Sequence, residues 1–178
     1  MSVDANRMRL WVVAISSLMC IALAQSAAAC GPQVRIVFAE ASPDYFRFEF
    51  VSGPGLTIQL IELDLNSSDG LAYVDTGYGA AELRNDGDVK LKSVEGLTEG
   101  DRHGQLTFSG FVEGKNFTYL VDLDDRIGRD TDTDHLTFGE IQGGKASARL
   151  SAPDGRLQYI DGVFDETGVA ILAPRACV

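Results

Sequence analysis

Six aspartates fall within one short segment, at Asp122, Asp124, Asp125, Asp130, Asp132 and Asp134. Like charges crowded together repel, so folding alone does not favour this pattern. A hard divalent cation reverses the sign of that energy, because Ca²⁺ takes roughly six to eight oxygen ligands and suits carboxylates on alternate loop residues. Asp130-Thr131-Asp132-Thr133-Asp134 has the one-three-five spacing of an EF-hand loop. It departs from that loop at His135, where glycine is required, and Glu140 stands one residue short of the bidentate position. The segment therefore reads as an irregular calcium loop in a β domain. The alternative is a solvated acidic loop, partly neutralised by Arg126 and Arg129.

Catalytic patterns are thin by comparison. The two histidines, His103 and His135, each stand near an aspartate (Asp101 and Asp134). No Gly-x-Ser-x-Gly elbow, His-Glu-x-x-His pair or thiolate zinc spacing accompanies them. With so many acids in the chain, any two carboxylates could be nominated as a glycosidase pair, so that coincidence points nowhere. The expectation is a protein that is not an enzyme, with both histidines on loop surfaces.

The elements that must hold these residues are strands. Tyr45 to Val51 alternates three phenylalanines with Arg47 and Glu49, and Val34, Ile36 and Phe38 repeat the period just before it. Further runs cover Leu56 to Leu65, Leu71 to Asp75, Val89 to Val94, Gln105 to Val112 and Phe117 to Leu123. Leu136 to Ile141, Ser147 to Leu150, Leu157 to Phe164 and Val169 to Leu172 complete the set. No segment sustains the apolar stripe of a core helix. Ala152-Pro153-Asp154-Gly155, Asp165-Glu166-Thr167-Gly168 and Glu113-Gly114-Lys115-Asn116 have turn chemistry and predict three hairpins. Residues 76–88 read as either a helical turn or a loop. The fold class expected is all-β, an antiparallel β-sandwich of roughly ten short strands, jelly-roll or Ig-like.

The first 29 residues have the composition of a cleaved signal peptide. Arg7 and Arg9 lead an uncharged apolar run from Leu10 to Ala24, and Ala27-Ala28-Ala29 supplies small residues before a cut at Cys30. A cut after Ala24 fits nearly as well. The run is shorter than the ~20 apolar residues a membrane span needs, and no later segment reaches that length. Residues 30–178 then form a single domain that is exported, to the periplasm or to the extracellular cell surface. Loss of Asp4, Arg7 and Arg9 takes 26 acidic and 15 basic residues to 25 and 13, a net charge of −12. Such an acidic chain lacks the basic surface that a nucleic acid requires. Trp11 and Cys20 leave with the leader, so Cys30 and Cys177 remain at the two ends. In an oxidising compartment these pair as one disulfide; the alternative is a lipid on Cys30.

Two stretches, GQLTFSGFVEGKNFTYLVDLDD (Gly104 to Asp125) and LTFGEIQGGKASARLSAPDG (Leu136 to Gly155), resemble exported bacterial β-sandwich modules. SPDYFRFEFVSGPGLTIQLIELDL (Ser42 to Leu65) and GLAYVDT (Gly70 to Thr76) resemble small exported proteins of the aggregation factor core group. That resemblance implies calcium-dependent cell-surface adhesion, carried by Asp122, Asp124 and Asp125 with Asp130, Asp132 and Asp134. The partner expected is a cell-surface or matrix protein or a glycan. A lectin-like glycan module shares this fold and is the competing reading, with a secreted hydrolase using unrecognised carboxylates as the third. With no tryptophan after the leader, Tyr73, Tyr78 or Tyr119 would have to supply the stacking platform.

Overall fold

A computed structural model describes residues 31–41, 43–75, 83–84, 89–125 and 137–175. Period-two alternation becomes strand in the aromatic segments nearest the N-terminus. Strand β1 (Gln33–Ala39) buries Val34, Ile36 and Phe38, and β2 (Tyr45–Ser52) buries Phe46, Phe48 and Phe50. Next come β3 (Thr57–Asp64), β4 (Tyr73–Val74), β5 (Leu83–Arg84), β6 (Lys90–Gly96) and β7 (His103–Val112). The chain continues through β8 (Asn116–Leu120), β9 (Leu123–Asp124) and a helical turn α1 (Phe138–Ile141). Strands β10 (Lys145–Ser151), β11 (Leu157–Val163) and β12 (Val169–Leu172) complete it.

The strands form two five-stranded sheets, in the orders β12-β1-β2-β8-β5 and β11-β10-β3-β7-β6, with β4-β9 as a separate pair. Every pairing is antiparallel. The buried faces of the two large sheets meet through phenylalanine rings. Phe108 on β7 lies 5.2 Å from Phe117 on β8 and 6.3 Å from Phe48 on β2, and 5.2 Å from Phe111 on its own strand. Its ring meets Phe117 and Phe111 at 73° and 69°, the edge-to-face geometry that the aromatic quadrupole favours. Phe50 meets Phe111, and Phe46 meets Phe164, in the same interlayer space.

Three local expectations are corrected. Leu136 to Ile141 was expected as a strand, yet Phe138–Ile141 is helical. The Glu140 carboxylate accepts the Thr137 backbone N–H at 2.7 Å and its hydroxyl at 2.6 Å, closing the first turn of a helix. Glu113 to Asn116 does not close a hairpin. It carries the chain from the second sheet to the first, held there because Gly114 N–H donates to the Phe50 carbonyl and Phe50 N–H to the Lys115 carbonyl. Asp165 to Gly168 does close an antiparallel turn, with Asp165 N–H donating to the Val169 carbonyl and bridges Phe164–Ala170 and Asp161–Ala173 in one register, although its two strands go on to join different sheets. Only the Pro153 turn closes a full ladder, between β10 and β11. Leu71 to Asp75 shortens to β4 because Leu71 takes a left-handed conformation (φ 54°) inside a turn organised by Ser68, whose buried hydroxyl accepts Ala72 N–H at 2.8 Å.

Candidate functional site

The aspartates singled out by spacing are only partly within the described residues. Asp122 accepts the Asp75 N–H through its carbonyl, Asp124 pairs with Tyr73 in the small sheet, and Asp125 follows directly. Asp130, Asp132 and Asp134 lie outside the described residues, as do Cys30, Cys177 and His135. Asp125 comes together with Glu140: their side chains hydrogen bond, and Gly70 packs against both, so a Cβ there would stand 2.6 Å from Glu140 Cβ. Burial pushes the Glu140 carboxyl up, but bonds from Asp125 and from the Thr137 side chain and backbone hold it below the usual range. Among the described residues no three His, Cys, Asp or Glu side chains gather where they could hold one metal ion.

A different cluster is fully described. On the outer face of the second sheet, a cleft of about 380 Å³ is lined by Glu62, Asp64, Lys145, Ser147, Asp161 and Arg175, with Val163 at its side. That volume lies at the small end of the usual range for ligand sites. Alternation explains why these residues face outward. On β3 the core takes Ile61 and Leu63, leaving Glu62 and Asp64 outside; on β10 it takes Ala146 and Ala148, leaving Lys145 and Ser147. Strand register then sets them in rows. Ser147 sits opposite Glu62 on one side and Asp161 on the other, and Lys145 sits between Asp64 and Val163. Ser147 is short and its neighbours are long, which creates the depression.

Hydrogen bonds fix the cleft's polar groups. Glu62 Oε1 contacts His103 Nε2 at 2.6 Å, and Ser147 Oγ donates to Glu62 Oε2 at 3.4 Å. Arg175 Nε donates to Asp161 Oδ1 at 3.4 Å. Asp64 accepts the Asn66 N–H and Nδ2 at 3.0 and 2.7 Å. Burial raises the Asp64 carboxyl, but the Asn66 bonds and the charges of His103 and Lys145 hold it below the ordinary 3.8. The order of contacts matters chemically. Glu62 stands between the serine and the histidine, so the Ser147 proton has a carboxylate and not an imidazole as its acceptor.

None of the three tyrosines named from the sequence is an exposed aromatic among the described residues. Tyr119 is buried at 3% exposure, which pushes its phenol up, Tyr73 is half-buried, and Tyr78 lies outside the described residues. Among the described residues Tyr159 is the most exposed aromatic, at 66%, on the outer face of β11 two residues from Asp161 and opposite Arg149. His103 begins β7 and is not on a loop.

Several carboxyls share the depression seen at Asp64. Asp101 is held low by the Thr98 hydroxyl and N–H, Asp154 by Arg156, and Asp165 by the Thr167 hydroxyl and N–H. A depressed carboxyl stabilises the fold when ionised, so its contribution is complete above the unfolded value and lost as pH falls through the folded one. Stability is therefore expected to hold above the ordinary values of 3.8 and 4.5 and to decline progressively below them. Urea midpoints measured from pH 6 to about pH 2 check this. A midpoint that rises on acidification through that window would contradict it.

Set against models of protein families, curated proteins and solved structures, the chain matches none of them, and its chemistry is read from its own residues.

Proposed function

We propose that this chain is an exported, non-enzymatic β-sandwich module that attaches to cell-surface or matrix material. The observation that carries this reading is the outer-face cleft: its strand-borne donors and acceptors are set by register, and its one hydroxyl is hydrogen-bonded to a carboxylate rather than to an imidazole. Such a surface suits holding a partner better than transforming one. The arginine-led apolar leader and the terminal cysteines support export. Among the described residues, no helix is long and apolar enough to cross a membrane.

Calcium belongs to the same proposal, as a stabiliser supplied by Asp122, Asp124 and Asp125 together with Asp130, Asp132 and Asp134. The support is the charge density of that segment and the contact already made between Asp125 and Glu140. A loop without the EF-hand glycine suggests weak extracellular-type affinity, roughly 10⁻⁴–10⁻³ M. The test has two readouts. The exported protein should sediment with insoluble cell-envelope or matrix material, and millimolar CaCl₂ should raise its melting temperature relative to EDTA through linkage. Asp132→Asn with Asp134→Asn should abolish the calcium shift while leaving the β signal in circular dichroism unchanged. Failure to sediment ends the attachment reading, and an unchanged melting temperature ends the calcium reading.

A further inference from the structure

The charge arrangement of the cleft narrows what it can hold. Three carboxylates (Glu62, Asp64 and Asp161) are interspersed with two cations (Lys145 and Arg175) around the Ser147 hydroxyl. A phosphate or polyanion would meet three negative groups, and both cations already stand beside carboxylates. A cationic peptide would meet Lys145 and Arg175. A neutral hydroxyl-rich molecule meets no such conflict, because each of its hydroxyls both donates and accepts. Carboxylate oxygens accept from it, the ammonium and guanidinium donate to it, and Ser147 does either. Strands about 4.8 Å apart space these groups evenly across the cleft. The apolar side chain of Val163 and the exposed ring of Tyr159, on the same face of β11, offer surfaces for the carbon-bound hydrogens of a sugar.

We infer that this cleft is a saccharide subsite. Glu62, Asp161 and Ser147 take the hydroxyls of one neutral sugar residue, and Tyr159 stacks on the adjoining one. The inference rests on the attachment reading and gives it a chemical class of partner. His103 acts as a positioning residue, since its 2.6 Å contact fixes the Glu62 carboxylate across from Ser147. The side chains of Tyr159, Asp161 and Arg175 are largely exposed, so replacing Tyr159 or Asp161 leaves the core untouched.

The test uses the exported chain with defined hexasaccharides of glucose (α- and β-linked), xylose and N-acetylglucosamine, followed by isothermal titration and by chemical-shift changes at the cleft. Inorganic phosphate and a lysine-rich peptide serve as controls. At least one hexasaccharide is expected to bind, with the largest shifts at Ser147 and Asp161. Ser147→Ala, Asp161→Asn and Tyr159→Ala are each expected to weaken it by about tenfold, the loss of one charge-assisted bond or one stacking face. Circular dichroism confirms that each variant is folded. No binding by any hexasaccharide, or binding unchanged in all three variants, overturns the subsite. Tighter binding of phosphate or of the peptide also overturns it. If the protein still sediments with envelope material while every hexasaccharide fails, the subsite falls and the attachment reading stands. If neither occurs, both fall.

Discussion

Phe108→Ala is expected to destabilise the protein by about 3–5 kcal/mol, the range for truncating a large buried aromatic. Phe108 is fully buried and its ring meets Phe48 and Phe117 of the opposite sheet as well as Phe111 of its own. Removing it deletes three ring contacts and leaves a void that two hydrogen-bonded sheets cannot readily close, because each is stiffened by its ladder. A melting temperature lower by on the order of 10 °C would follow for a chain of this size. Val51→Ala is the matched control. Val51 lies on β2 but is 47% exposed, and its truncation should fall within about 0.5 kcal/mol. Urea unfolding of the two variants checks the contrast. Equal effects would mean that the aromatic cluster does not hold the sheets together.

The second large effect concerns the chain ends. Strand β1 pairs with β12, Val34 lying opposite Leu172, and Gly31 is close enough to Pro174 that a Cβ there would stand 2.9 Å from its Cγ. Cys30 precedes Gly31 directly, and Cys177 follows Pro174 by three residues. At about 3.5 Å per residue, that stretch is long enough for Cys177 to come back to Cys30 and short enough that the chain geometry permits a bond. A Cys30–Cys177 disulfide would close a loop over residues 30–177, and for a loop this long chain entropy gives on the order of 4–5 kcal/mol, an upper figure because strain reduces it. Non-reducing peptide mapping of the exported protein should recover the linked terminal peptides, and dithiothreitol should lower the urea midpoint. A diacylglycerol on Cys30, or a free thiol at Cys177, would show that the ends are held by backbone pairing alone.

Alternation made most of the strands legible. Phe46, Phe48 and Phe50 on one side, with Arg47 and Glu49 on the other, admit only one orientation toward a core. Partner choice was not legible, because a turn sequence reports its own backbone and not the sheet its second strand will join. Glu113 to Asn116 has the same residues whether it closes a hairpin or crosses between layers. The helical turn at Phe138 did leave a sign, Thr137-x-x-Glu140, which is the capping pattern. Alternating Leu136, Phe138 and a final Ile141 concealed it. The cleft was hidden for a deeper reason. Ser147 is unremarkable alone and matters because register sets it between Glu62 and Asp161, from β3 and β11. Conspicuous carboxylates such as Asp101, Asp154 and Asp165 serve their own turns.

The pairing of the first strand with the last also sets the timetable of folding. Until Val169 to Leu172 have left the ribosome or an export channel, β1 has β2 on one side and no ladder partner on the other. Contacts between residues this distant in sequence carry a high loop-closure cost and place the chain among slow, millisecond-to-second folders. A domain of this order cannot complete its first sheet while its C-terminus is still being delivered. That delay leaves the β1 edge as the segment most in need of protection while the chain is being completed.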